Sequence, residues 1–316
     1  MRVGVALAFA ALLVVPLVAW PAPARAQLKG DYVAGSSGLQ NGSQAPAGLS
    51  VSLPVYVYLT DTIKNDHGDT VPTDRRVTTI QTGASLAWVT RFRIVGANFG
   101  SQIQAIAFAK SRTETSSLDV GSSLAFSDIF FQPIQLGWQT PRADFTAGWG
   151  FFAPSGTWEL GGSDNSGLGM WSYDFQAGST VRLDREQAWT TSLLATYETH
   201  SSKQGTRIKV GDILTLEGGT GRTFSKELKG ESTPRTASVG LVYYAQWKVT
   251  GDEAVGPMRG LVLAGRKDRV YAAGLEGNVF LPKAKLLAGL RVMREFEARN
   301  RTEGVTFQFT LTYQAT

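Results

Sequence analysis

The feature that most constrains this chain is a period-two alternation of apolar and polar residues recurring along nearly its whole length. From Leu49 to Leu59 every odd position is apolar, with Ser50, Ser52, Pro54, Tyr56 and Tyr58 between. Segment 171–183 sets Trp171, Tyr173, Phe175, Ala177, Val181 and Leu183 against Ser172, Asp174, Gln176, Thr180 and Arg182. Segment 237–249 and the last strand, with Val305, Phe307, Phe309, Leu311 and Tyr313 on one face, repeat the pattern. Successive side chains of a strand point to opposite faces, so each segment reads as a two-faced strand rather than a helix.

A soluble sandwich would hide the apolar faces against each other; an outer-membrane barrel turns them to lipid and lines its bore with the polar ones. Many segments run about ten residues or more, the length that crosses a bilayer at a tilt. Aromatic residues gather towards strand ends (Trp88, Trp138, Trp171, Trp189, Trp247, Tyr313), as interfacial girdles require. Glycine is abundant, 35 of 316 residues, and charged residues are only 18%, below the roughly 25% of ordinary soluble domains. The expected fold is therefore all-β: a transmembrane up-and-down antiparallel β-barrel of about twelve strands, with fourteen as the alternative count. The expected strands lie near 48–60, 76–89, 92–110, 127–139, 143–153, 169–183, 188–199, 211–221, 236–250, 269–281, 285–297 and 304–314.

The connections between them sort into two kinds. Those at 140–142, 184–187 and 282–284 are short; those at 61–75, 111–126, 154–168, 200–210 and 251–268 are long and polar. Bacterial barrels keep short turns at the periplasm and long loops outside, which orients the first strand upward. The stretch 222–235 departs from this rule by being long on the inner side. Ahead of the barrel, residues 1–26 read as a secretory signal peptide: Arg2, an apolar run from Val3 to Trp20, then Ala24-Arg25-Ala26. Segment 27–47 is polar and non-periodic, either an N-terminal plug folded into the bore or a periplasmic tail, and 48–316 is the barrel. The expected location is the bacterial outer membrane.

Several stretches resemble the outer-membrane family of the MetA-pathway of phenol degradation. They include Gly30-Asp31-Tyr32 with Gly42-Ser43-Gln44-Ala45-Pro46, and Phe131-Gln132-Pro133-Ile134-Gln135-Leu136-Gly137-Trp138. Pro141-Arg142-Ala143-Asp144, Gly150 to Gly156, Gly167 to Trp171, Glu217-Gly218-Gly219 and Tyr244 to Lys248 complete the set. The resemblance implies a transporter associated with breakdown of aromatic and other hydrophobic compounds, and brings no residue-level site with it. One departure is the C-terminus, where Gln314-Ala315-Thr316 follow Tyr313 in place of a final aromatic residue.

The polar faces nominate a set of lumen-lining residues: Asp174, Gln176 and Arg182, then Glu198, then Tyr244, Gln246 and Lys248, then Glu276, Asn278, Arg291 and Glu295. Such charges either select what passes or pair across the bore and brace the wall. A barrel of about twelve strands has a backbone radius of about 12 Å, room for a small molecule between side chains. Catalysis is not expected. His67 falls in the first outer loop, and His200, followed by Ser201 and Ser202, reads as a solvated rim residue with no G-x-S-x-G turn anywhere. Gly218-Gly219-Thr220-Gly221-Arg222 lacks the G-K-[ST] ending of a phosphate loop. Asp61, Asp66 and Asp69 read as a solvated acidic loop rather than a cation site. No cysteine is present, and no cofactor or metal is expected. The small, evenly spread net charge of +5 argues against nucleic acid. The expected partners are outer-membrane lipid and lipopolysaccharide, the barrel-assembly machinery and a small hydrophobic substrate. The function that fits is passive uptake of such compounds, with a general porin or structural barrel as the alternative and a lipid-modifying enzyme third.

Overall fold

The computed structural model describes residues 28–116, 119–162, 164–227, 233–256 and 267–315. The expected signal peptide at 1–26 lies outside these residues. Sixteen strands follow in chain order: β1 (Gly48–Ile63), β2 (Arg76–Ile94), β3 (Ala97–Glu114), β4 (Asp119–Gly121), β5 (Ala125–Phe126), β6 (Ile129–Gln139), β7 (Ala143–Ala153), β8 (Ser172–Arg182), β9 (Trp189–His200), β10 (Ile208–Lys209), β11 (Ile213–Lys226), β12 (Arg235–Lys248), β13 (Glu253–Ala254), β14 (Arg269–Leu281), β15 (Leu286–Arg299) and β16 (Thr302–Ala315). β4, β5, β10 and β13 are short pieces in long connections. The other twelve form one antiparallel sheet in which each long strand pairs with its chain neighbours, and β1 pairs with β16 from Leu49↔Ala315 to Ile63↔Thr302. The sheet is thus a closed barrel without an edge. Closure is a physical requirement in hydrocarbon, where each unpaired backbone group costs several kcal/mol.

The faces sort as the alternation requires. Leu53 on β1, Leu241 on β12, Leu275 on β14 and Leu290 on β15 are exposed on the outside, whereas Glu198, Tyr244, Lys248, Glu276 and Glu295 are buried within. Two prolines sit inside strands. Pro133 falls at a bulge in the β6–β7 pairing, between Phe131 and Ile134, where the missing N–H costs no ladder bond. Pro54 drops out of the β1–β2 register between Ser52 and Val55.

Turns at 95–96, 140–142 and 282–285 are tight and lie at one end, while the long connections 64–75, 115–128, 154–171, 201–212 and 249–268 share the other, taken as the outer end, together with the tight turn 300–301. The stretch expected to be long at 222–235 is a correction. β11 runs on to Lys226 and β12 starts at Arg235, so the inner connection is only 227–234 and the exception largely vanishes. The expected break near 90 also moves: Arg91 to Ile94 extend β2, and the chain reverses at Val95-Gly96, both with positive φ (51° and 80°).

Candidate functional site

Residues 28–47 lie inside this barrel. The chain enters at the outer end, where the Lys248 ammonium donates to the Leu28 carbonyl at 2.6 Å. Next, the backbone N–H groups of Asp31 and Tyr32 donate to the Glu198 carboxylate at 2.7 and 3.2 Å. Midway down, the Tyr32 hydroxyl and the Gly35 N–H, the latter at 2.7 Å, converge on the Glu217 carboxylate. Arg291 donates to the Gly35 carbonyl and, at 2.6 Å, to Glu276, which also accepts the Leu39 N–H. At the inner end the Ser43 hydroxyl donates to Asp144 at 2.7 Å, and Gln44 reaches Gln135 on β6 before β1 begins. The segment therefore traverses the bore from the long loops to the inner rim.

Close approach of two backbones explains why the wall carries glycine here. Gly42 lies so near β8 that a Cβ on it would fall 2.1 Å from the Ser179 carbonyl carbon, and its Cα lies beside Gly178. Gly219, Gly221 and Gly240 on β11 and β12 leave the hollow that the Leu39 side chain fills. A side chain at any of these wall positions would meet the segment or the neighbouring strand.

Each residue nominated from the sequence has a definite place. Glu295 accepts the hydroxyls of Tyr58 and Tyr244 at 2.7 and 2.6 Å, with Arg301 beside it at 3.9 Å. Gln246 bridges Thr215 and Arg301. Lys248 is buried between Asp252 and Asp268 at 2.8 and 3.3 Å. Glu276, Asn278 and Arg291 form one group, with Asn278 donating to Glu276 at 2.7 Å. Gln176 accepts from Gln132, and Arg182 pairs with Asp144 at the inner rim at 2.8 Å. Asp174 stands next to Glu198 in the β8–β9 register, and neither of its oxygens has a partner. Three separate groups result, at the outer end, at the centre and on the inner side.

His200 corrects the sequence reading. Its side chain is fully buried, 3.2 Å from Glu198, the carboxylate that also takes the Asp31 and Tyr32 N–H groups of the inner segment. Ser201 is not its partner: that hydroxyl accepts the Trp171 N–H and donates to the Ser202 carbonyl. Glu217, Asp144 and Gln132 were not nominated. Glu217 was within reach of the pattern, since Leu214 and Leu216 on the outer face put it on the polar one. Among the described residues, no three His, Asp or Glu side chains are set to share a metal ion.

Below Leu39 the bore opens into a chamber of about 640 Å³ on the inner side. Its walls alternate hydroxyls (Ser52, Ser238, Thr310, Thr312) with apolar groups (Pro54, Phe280, Leu287), and the Arg291–Glu276 pair forms its roof.

A closed barrel with an apolar outer band, a polar bore and a chain segment running through that bore defines an outer-membrane channel fold. This chain belongs to the family described as the MetA-pathway of phenol degradation, whose model matches residues 60–311. Among solved structures, the COG4313 outer membrane channel from Pseudomonas putida F1 is similar with a TM-score of 0.71 and 14% identity, covering 90% of this chain and 99% of that one. The β domain of the Bordetella autotransporter BrkA gives a TM-score of 0.48 at 10% identity, covering 85% of this chain and 100% of that one. The translocator domain of the autotransporter NalP from Neisseria meningitidis gives 0.46 at 11%, covering 85% and 89%. No curated protein sequence matches the chain.

Proposed function

We propose that this barrel is a passive channel through which small hydrophobic compounds, aromatic ones among them, cross the outer membrane, with segment 28–47 as its plug. The observation that carries this reading is the segment's course: it runs through the bore from the outer loops to the inner rim, fills it down to Leu39 and leaves a 640 Å³ chamber open beside its inner part. A chamber of that size holds a one- or two-ring molecule. Its mixed lining suits a compound with an apolar body and one hydroxyl: Pro54, Phe280, Leu287 and Leu39 offer surface, and the serine and threonine ring offers hydrogen bonds. Passage is downhill. The plug yields, the compound moves past Leu39 into the chamber, and it leaves at the inner rim.

A general porin keeps an open, water-filled bore, so the occupied bore favours the dedicated channel. The family's association with phenol degradation points to the same substrate class. Planar-bilayer recording together with uptake of a radiolabelled monoaromatic compound tests this. The full chain is expected to show little steady conductance yet to speed uptake into cells lacking other routes, and deletion of residues 28–46 is expected to raise conductance strongly. Large steady conductance from the intact chain, or no gain in uptake, would overturn the reading.

A further inference from the structure

The outer end of the bore holds a cluster of carboxyl groups with too few counter-charges. Asp174 on β8 and Glu198 on β9 are register partners, so their side chains project side by side from adjacent strands, about 5 Å apart at Cβ. Glu198 accepts the N–H groups of Asp31 and Tyr32, and the His200 ring lies 3.2 Å from it. Asp174 is fully buried and both its oxygens lack partners. A third carboxyl comes from the inner segment itself. Asp31 accepts the Ser172 hydroxyl at 2.5 Å, and Asp128, from the connection before β6, adds a further negative charge beside it.

The other charged groups facing the cluster are Lys29 on the segment, Lys203 in the loop after β9, and Asp252 in the loop after β12. Lys203 donates to the Leu168 carbonyl, and Asp252 is taken by Lys248. Adjacent carboxylates cannot all ionise in a dry site. The charged neighbours of Asp174 are Glu198 and Asp31, both acidic, and the described residues offer no three ligands set for one metal ion, so a proton is left to neutralise it.

We infer that Asp31 and Asp174 form a proton-dependent latch for segment 28–47: protonated, they let its outer end dock on β8 and β9; ionised, they push it away. The inference rests on that segment being the plug. The docked state keeps protons that solvated carboxyls lose near pH 4. Docking is therefore favoured in acid and weakens as pH rises, by roughly tenfold per pH unit for each group that titrates between the two states.

Single-channel recording of the full chain between pH 5.5 and 9.0 is the test. Open probability is expected to rise with pH in the wild type, to rise less steeply in Asp174→Asn, whose amide cannot charge and which leaves only Asp31 to titrate, and to stay low and flat when both are replaced by Asn. Heat-modifiable gel migration confirms folding, and Asp31→Asn carries the test if Asp174→Asn does not fold. A flat wild-type profile, or an unchanged rise in both variants, overturns the latch. So does a rise that millimolar calcium suppresses and EDTA restores at fixed pH, which would make a metal ion the neutralising species. Deletion of residues 28–46 separates the two proposals: an open deletion variant with a flat wild-type profile leaves the plug standing and removes only the latch.

Discussion

Glu217 holds the inner segment through several bonds, and replacing it gives a graded prediction. Its buried carboxylate accepts two donors from the segment, the Tyr32 hydroxyl and the Gly35 N–H, and its own carbonyl accepts from Asn41 at 2.9 Å. In Glu217→Gln the amide oxygen still takes the Gly35 N–H, and the amide nitrogen faces a hydroxyl that can turn to accept it. Only the charge assistance is lost, about 1 kcal/mol, part of which is offset because an amide is easier to bury. Glu217→Leu instead leaves a buried N–H and a buried hydroxyl unpaired, each costing roughly 1–3 kcal/mol. At about 1.4 kcal/mol per decade, the displaced population should rise by no more than about tenfold for Gln and by roughly thirtyfold to ten-thousandfold for Leu. Open probability in planar bilayers reads this directly, with gel heat-modifiability as the folding control. A folded Glu217→Leu channel that opens no more than wild type, or less than Glu217→Gln, would refute the claim that these bonds hold the segment in place.

Three further predictions concern different parts of the molecule. Gly42→Ala drives a methyl group into the Ser179 backbone and should loosen the inner end of the segment, seen as faster amide hydrogen exchange over residues 40–44; unchanged exchange would mean the wall yields instead. Leu275→Arg puts a charge on the lipid face at mid-strand, where Leu275 is 60% exposed. Urea unfolding in vesicles should register a loss of about 2–4 kcal/mol, and a loss below about 1 would place that strand differently in the bilayer. Burial lowers the Lys203 ammonium to about 8 from its ordinary 10.5. The folded state therefore holds fewer protons than the unfolded one between these values, and stability gains as pH rises through that window. Thermal unfolding of wild type against Lys203→Met should show the difference growing in favour of wild type from about pH 8 to 10.5 and level below it; a level difference throughout would mean the ammonium is not desolvated.

The wall of this barrel was legible because its signal is local. Alternation of side chains is a property of each strand by itself, so Leu49 to Leu59 or Trp171 to Leu183 could be sorted into two faces without knowing their neighbours. Errors arose where the pattern runs through a reversal: Phe92 and Ile94 continue the apolar series of β2, and only the positive φ at Val95 and Gly96 ends it. What meets the polar face is a different kind of information. The bonds from segment 28–47 join residues far apart in sequence (Tyr32 to Glu217, Gly35 to Arg291, Ser43 to Asp144), and no periodicity records them. His200 shows the consequence. Its position at a strand end argued for water, and it is buried beside Glu198, the carboxylate on which the inner segment docks through Asp31. The glycines carried a partial signal. Their abundance, 35 of 316 residues, fits a crowded, curved wall as well as a wall with something pressed against it; the Leu39 side chain against Gly219, Gly221 and Gly240 and the Gly42 backbone beside Gly178 decide for the second. A two-faced strand specifies that its polar side avoids lipid and leaves open whether water or protein lies opposite. In this barrel it is protein down to Leu39, and below that a chamber shared with the last residues of the segment.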